Sequence, residues 1–156
     1  MFHLLKVSFL TILLLGAITS CKKNGENLDS DLTITFQTKV NGTNYAMNTT
    51  YRNASDVDIK YESFQFYLSD ITIINSDGES RLVSEIELFR FSESGFSSID
   101  FRVPHGHYES IQFGIGVKKE LNEADPSNYA EAGHPLNTSE NTYWGWAGMY
   151  RFVMNE

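Results

Sequence analysis

The chain has 156 residues, a formal net charge of −8 at pH 7 and a single cysteine. So acidic a chain has little basic charge with which to displace phosphate counterions, and this excludes a general nucleic-acid binder. One cysteine excludes an intrachain disulfide framework.

The first twenty residues have the organisation of a secretion signal. Lys6 precedes an apolar run over residues 7–18, which is short for a membrane span. Cys21 follows at the position that a bacterial lipoprotein signal requires, so residues 1–20 resemble such a signal. The resemblance implies that the thiol carries acyl chains such as palmitate. The alternative is an ordinary signal peptide that leaves Cys21 as a free thiol.

An acylated Cys21 predicts a partner and a location. The mature chain would be held at a membrane by its lipid anchor and not by a helix. The predicted location is a bacterial membrane, as an outer-membrane lipoprotein facing the periplasm or the surface. Residues 21–31 are polar and read as a tether, which leaves residues 32–156 for one domain.

The first half of this domain is dominated by apolar and polar alternation. Leu32, Ile34 and Phe36 share one face, and Asn41-Gly42 supplies hairpin chemistry after them. Residues 58–74 are the strongest β stretch, with a slip in phase at residues 69–70 that indicates a bulge. Residues 82–91 contain apolar residues with neither the spacing of a strand nor that of a helix. Their secondary-structure type therefore stays open.

The second half contains two further alternating stretches and one long loop. Residues 99–103 and 111–117 predict strands, separated by a turn at Gly106. Residues 118–141 are polar and predict a long loop with a helical turn near Glu120. An aromatic stretch, residues 143–154, reads as one closing strand with Trp144 and Trp146 on the same face.

Short strands, turn dipeptides and the absence of a sustained helical period predict an all-β fold. We expect an antiparallel β-sandwich, either immunoglobulin-like or jelly-roll-like. Because the sequence stops in or just after the aromatic strand, we also expect this sandwich to be incomplete at its C-terminus.

Several short motifs in this order are similar to the MbnP-like domain, a copper-binding lipoprotein family named for a methanobactin-associated protein. The motifs are Phe64-Gln65-Phe66-Tyr67-Leu68-Ser69-Asp70-Ile71, Val103-Pro104, Ile115-Gly116-Val117, Asp125-Pro126, His134-Pro135-Leu136 and Tyr143-Trp144-Gly145-Trp146. The likeness covers most of residues 32–156. Lys118 and Thr142 depart from the family pattern, and family members continue beyond the aromatic strand.

The resemblance implies copper binding in the periplasm or at the cell surface. In related copper proteins a tryptophan is oxidised to kynurenine, and its aniline nitrogen joins histidines on the metal. The resemblance also implies a di-haem, peroxidase-like oxidase as the partner that performs this oxidation. The implied metal residues are His134, Trp144 and Trp146.

Each of these residues also has a simpler interpretation. His134 is equally well explained as a loop histidine exposed to water, and by pattern alone Trp144 and Trp146 belong to the core. His105 and His107 flank a turn glycine and read as turn variation. The remaining candidate donors are methionines, whose thioethers suit reduced copper: Met47, Met149 and Met154.

Common catalytic motifs are absent from the sequence, including the nucleophile elbow, the zinc-protease helix motif and the phosphate-binding loop. We therefore expect a binding protein and not an enzyme. Three functions remain open. They are a copper-handling lipoprotein, a glycan-binding sandwich that uses the tryptophans as a sugar platform, and a purely structural lipoprotein.

Overall fold

Alternating side chains form the strands that the sequence predicts. The computed structural model describes residues 29–156, and the predicted signal sequence and Cys21 lie outside this range. Leu32, Ile34 and Phe36 turn inward along the first strand, whereas Thr33 and Thr35 point to solvent. This strand begins within the predicted tether, because Asp29 already pairs with Pro104.

Twelve strands, one short helix and two 3₁₀ turns make up the described part. The strands are β1 Asp29–Gln37, β2 Lys39–Val40, β3 Thr43–Asn44, β4 Thr50–Arg52, β5 Asp58–Lys60, β6 Phe64–Asn75, β7 Ser80–Arg90, β8 Phe96–Pro104, β9 Tyr108–Ile115, β10 Tyr143–Trp144, β11 Met149–Tyr150 and β12 Val153–Asn155. Helix α1 spans Lys119–Asn122, and the 3₁₀ turns span Pro126–Tyr129 and Thr138–Glu140.

Two antiparallel sheets build the sandwich. In the first, β1 pairs with β8. In the second, β6 is central, with β7 on one side and with β9 and β12 on the other. The expected antiparallel β-sandwich is therefore confirmed. Residues 82–91, whose type the sequence left open, lie in strand β7 up to Arg90, because β7 pairs with β6 along almost its whole length.

Strand β6 is bent by the bulge that the sequence predicts. Asp70 has a φ of 51°, and between Ser69 and Thr72 strand β6 has one residue more than its partner β9. The extra residue reverses the alternation, so Leu68 and Ile71 lie in the same apolar cluster although they are an odd number of positions apart.

The second sheet is covered on both faces. One face packs its Leu68, Ile71 and Phe89 against Phe101 of the β1–β8 sheet. The opposite face is covered by the segment over residues 117–150, which packs around Tyr67. Three layers result: the β1–β8 sheet, the β6 sheet and a layer of loops. The loop layer contains the long loop and the helical turn predicted for residues 118–141.

The two sheets approach each other at β7 and β8 and lie apart at β1 and β9. Within residues 29–156, β1 pairs only with β8 and β9 pairs only with β6, so each has a free edge. Ile111, Phe113 and Ile115 of β9 remain 40%, 39% and 71% exposed. Among the same residues, no helix has the length and apolar character needed to cross a membrane.

The stability of the sandwich should depend on its central phenylalanines. Phe89 is fully buried, stacks on Phe66 at 5.7 Å between ring centroids and meets Phe36 edge-on at 5.0 Å. Phe89→Ala should lower the free energy of unfolding by about 3–5 kcal/mol, measured by urea denaturation. Leu82→Ala on the same strand is the control and should change it by less than about 0.5 kcal/mol, because Leu82 is 56% exposed. Equal losses would contradict this core assignment.

Candidate functional site

The aromatic segment is a hairpin and not the single closing strand that alternation predicted. β10 pairs with β11 through Tyr143 opposite Tyr150 and Trp144 opposite Met149. The chain reverses between them because the backbone N–H groups of Ala147 and Gly148 both donate to the carbonyl of Trp144, at 3.0 and 2.8 Å. Gly148 has a φ of 66°, a conformation that glycine adopts at no steric cost.

The inner face of the hairpin is anchored to the loop layer. Tyr150 is 3% exposed, and its hydroxyl donates to the carbonyl of Leu136 at 2.7 Å. Its backbone N–H donates to the Oδ1 of buried Asn122 at 2.8 Å. The ring of Tyr143 meets that of Tyr150 at 5.0 Å. These contacts fix the hairpin, so the residues on its other face have a defined position.

The outer face presents both tryptophans of the chain to solvent. Trp144 is 46% exposed and Trp146 is 80% exposed, with ring centroids 4.9 Å apart and planes tilted by 43°. Met149 beside them is 47% exposed. Assigning these indoles to the core was therefore wrong. Alternation gives the same pattern for a buried face and for a solvent face, and here the core side belongs to Tyr143 and Tyr150. We call Trp144, Trp146 and Met149 the indole face.

A guanidinium distinguishes the two indoles. The Cζ atom of Arg151 lies 6.0 Å from the centroid of the Trp144 ring, within the range of a cation–π contact. Arg151 is held there by the carboxylate of Glu156 at 3.1 Å and by the carbonyl of Asn141. Sequence reasoning did not select Arg151, since only the turn that follows β11 brings it beside the indole.

His134 lies in a different setting from the indole face. Its ring stacks on Tyr129 at 4.9 Å and 20°, and its Nδ1 accepts a hydrogen bond from the backbone N–H of Leu136 at 3.0 Å. Within residues 29–156, no ring contact joins His134 to either tryptophan. The structure thus brings Trp144 and Trp146 together and places His134 with Tyr129.

The hydrogen bond of His134 determines which tautomer it adopts. A neutral imidazole has one protonated nitrogen, so an Nδ1 that accepts from a backbone N–H leaves the proton on Nε2. A metal-binding histidine needs a free lone pair and usually donates its other N–H to an acceptor. In this conformation neither nitrogen of His134 is available as a ligand.

The other candidate donors are dispersed. His105 and His107 are exposed at the turn between β8 and β9, and the Nδ1 of His105 lies 3.1 Å from the Ser30 hydroxyl. Met47 and Met154 are buried, and the sulfur of Met154 accepts from Gln65 at 3.3 Å. No group of three or more His, Cys, Asp or Glu side chains that could hold a metal ion occurs in the described range.

Asp125 has a structural role. Its carboxylate accepts the backbone N–H of Ser127 at 2.9 Å and caps the first 3₁₀ turn. This hydrogen bond lowers the pKa of Asp125, because it favours the charged form.

Copper does not fit a site built from His134, Trp144 and Trp146 as they are arranged. Copper sites combine imidazole nitrogen with thioether sulfur or further nitrogen donors converging on one point. Here the imidazole has no free lone pair, and the indoles lie on a separate face with only the thioether of Met149 beside them.

Comparison with known protein families shows to which family the chain belongs. The sequence model of the MbnP family matches residues 29–156. The chain belongs to the MbnP family. The solved structure of MbnP from Methylosinus trichosporium resembles it with a TM-score of 0.57 at 12% sequence identity, a likeness that shows the sandwich fold. That match covers 81% of this chain and 54% of the other, so the chain spans about half the length of the MbnP structure. No curated protein matches it.

Family membership assigns no ligand set to this chain.

The anchor of the hairpin should titrate at alkaline pH. Burial, with smaller contributions from Tyr67, Tyr129 and Tyr143, raises the pKa of Tyr150 from 10.0 to about 12. Below pH 10 the phenol is protonated in the folded and the unfolded chain, so the full stability is present. From pH 10 to about 12 only the unfolded chain ionises, so stability is lost as the pH rises.

Tyr150→Phe should therefore reduce the loss of unfolding free energy between pH 10 and pH 12, measured by urea denaturation at each pH. At neutral pH the variant should be less stable by about 0.5–1.5 kcal/mol, because the hydrogen bond to Leu136 is gone. An identical alkaline loss in both proteins would show that the Tyr150 phenol is not shielded from water.

Proposed function

We propose that this protein is a membrane-anchored bacterial lipoprotein with a copper-related role, and that its reactive element is the indole face. The observation that carries the proposal is the exposure of the two tryptophans on an anchored hairpin. A large protein oxidant, such as the di-haem peroxidase-like partner implied by the family, needs an indole that it can approach from outside. Trp146, at 80% exposure, meets this requirement best.

Electrostatics favours the same residue. Removing an electron from an indole leaves a positive charge on the ring, and the Arg151 guanidinium near Trp144 opposes that charge. Trp146 is more exposed, and water stabilises the positive charge there. The 4.9 Å separation of the rings also allows an electron hole formed on Trp144 to pass to Trp146. We therefore propose Trp146 as the residue that is oxidised.

The proposed oxidation is the conversion of tryptophan to kynurenine. The C2–C3 bond of the indole is cleaved and each carbon gains one oxygen atom, supplied by two equivalents of peroxide that are reduced to water. Hydrolysis of the resulting formyl amide then releases formate. The side chain keeps an aryl amine, which is a nitrogen donor of the kind that copper accepts.

Glycan binding is the alternative function that the exposed indole face makes conceivable. Glycan binding needs rings that are exposed and coplanar. The exposure is present, but the 43° tilt between the rings is not coplanar. Oxidation requires only that the oxidant can reach the indole ring. The geometry therefore supports oxidation better than glycan binding.

Oxidation should appear in the intact mass of the full chain after incubation with peroxide and a di-haem peroxidase-type enzyme. The wild-type chain should gain oxygen and lose one carbon. Trp146→Phe should remain unmodified, whereas the matched variant Trp144→Phe should still be modified. An unmodified wild-type mass would contradict the proposal. Oligosaccharide binding that Trp146→Phe abolishes would favour the sugar platform.

Lipidation is a separate part of the proposal and rests on the placement of Cys21, which lies outside the described residues. The chain expressed in a bacterium should incorporate labelled palmitate and partition into detergent. Cys21→Ser should abolish both, because it removes the thiol that becomes acylated. Incorporation that survives this substitution would place the anchor elsewhere, and absence of label from the wild-type chain would leave an ordinary signal peptide.

A further inference from the structure

The His134-Pro135-Leu136 segment supplies hydrogen-bond acceptors to two buried phenols. The carbonyl of Pro135 accepts the hydroxyl of Tyr67 at 2.7 Å, and the carbonyl of Leu136 accepts the hydroxyl of Tyr150 at 2.7 Å. Tyr67 and Leu136 are completely buried and Tyr150 is 3% exposed. A buried hydroxyl that loses its acceptor keeps the cost of desolvation, so both consecutive carbonyls must point inward.

The imidazole of His134 fixes the turn that directs these carbonyls. Its Nδ1 accepts the backbone N–H of Leu136, two residues further along the chain, at 3.0 Å. This is the contact of an Asx turn, in which a side-chain oxygen of Asn or Asp is the acceptor. Four such side chains accept the N–H of the second residue after them at 2.9–3.0 Å: Asn53, Asn75, Asp125 and Asn137.

Asp125 gives the closest internal comparison, because a proline follows it as it follows His134. Its Oδ1 accepts the N–H of Ser127, with Pro126 between them. Proline has no N–H, so the first donor available after either residue is the one that follows the proline. His134 thus uses an imidazole nitrogen where Asp125 uses a carboxylate oxygen. The turn needs an acceptor atom at this position and does not need a metal ion.

Tyr129 accounts for the use of an imidazole as the acceptor. The two rings stack with centroids 4.9 Å apart and planes 20° apart. The stack holds the plane of the imidazole in the loop layer, and the Nδ1 lone pair in that plane is directed at Leu136. An asparagine amide would supply the acceptor with a smaller surface for this stack.

The indole face is connected to the same turn through Tyr150. The hydroxyl of Tyr150 is held by the Leu136 carbonyl, and its backbone follows directly on Met149, the partner of Trp144 in the hairpin. Moving the Tyr150 ring therefore moves the strand that lies beside Trp144. The separation of 4.9 Å and the tilt of 43° between the two indole rings depend on this anchor.

We propose that His134 is a positioning residue for the indole face, acting through Nδ1 as a hydrogen-bond acceptor and not as a metal ligand. The functional importance of this positioning rests on the function proposed above for the indole face. The two roles require different chemistry. An acceptor attached to Cγ is sufficient for the turn, and asparagine also has one, whereas a ligand role requires an imidazole nitrogen with a free lone pair.

His134→Asn and His134→Ala in the full chain separate these roles. Asparagine keeps an acceptor on Cγ and alanine removes it. Two indoles in contact produce an exciton couplet in circular dichroism, which reports their mutual geometry. Trp144→Phe and Trp146→Phe should each abolish the couplet and so assign it to this pair. His134→Asn should retain the wild-type couplet, whereas His134→Ala should lose most of it.

Val103→Ala controls for a general loss of stability. Val103 is 5% exposed in the cluster between the two sheets, away from the loop layer. This variant should lower the urea midpoint and retain the couplet. His134→Ala should raise the equilibrium constant for unfolding roughly 2- to 12-fold, because one hydrogen bond is lost, and should lose the couplet while still folded.

Uptake of cuprous ion provides an independent measurement. His134→Asn should take up the same amount as the wild-type chain, because the imidazole is not a ligand. Where His134→Ala does not fold, this comparison tests the proposal by itself.

Three results would overturn the proposal. The first is an equal loss of the couplet in His134→Asn and His134→Ala, which would show that an acceptor is not sufficient. The second is an unchanged couplet in folded His134→Ala. The third is a loss of cuprous ion uptake in His134→Asn, which would make the imidazole a ligand. All of these measurements use the unoxidised chain, so a failure of tryptophan oxidation would count against the proposed function and not against this role of His134.

Discussion

The burial of β6 on both faces is the constraint on which the rest of the structure depends. Leu68 and Ile71 face the β1–β8 sheet, whereas Tyr67 faces the loop layer, where its hydroxyl donates to the carbonyl of Pro135 at 2.7 Å and meets the hydroxyl of Thr142 at the same distance. A strand can keep apolar side chains on one face across twelve residues despite a change of phase only if it contains a bulge. The bulge at Asp70 satisfies this condition and lets one strand hold three layers together.

The exposure of the indole face follows from the loop layer. Because Tyr143 and Tyr150 are used to cover Tyr67, the alternate residues of the same hairpin must face water. The indoles are therefore exposed as a consequence of how the core is filled, and the anchored backbone keeps them in place. The position of His134 follows from the same layer, since its imidazole is committed to Leu136 and Tyr129. Exposure of the indoles to an oxidant and the presence of an assembled metal site are thus separate properties. This chain has exposed indoles.

The sequence predicts structural features that depend on residues close together in the chain. It does not predict features that depend on contacts between residues distant in the chain. Alternation along residues 32–36, the Asn41-Gly42 turn and the slip at residues 69–70 are local signals, and all are confirmed. The hairpin was missed because its turn is defined by bonds to the carbonyl of Trp144 and its inner face by Asn122, residues that alternation does not connect. The family could be inferred from ordered motifs, whereas the tautomer of His134 depends on a backbone N–H that no motif reveals.

Tryptophan fluorescence tests the central claim most directly, because both tryptophans of the chain belong to the indole face. The account predicts emission at the wavelength typical of water-exposed indole and efficient quenching by acrylamide in the folded protein, with Trp144→Phe retaining the more strongly quenched residue. Blue-shifted emission that acrylamide reaches only after unfolding would place the indoles in the core. It would remove the basis for an oxidant acting on them from outside.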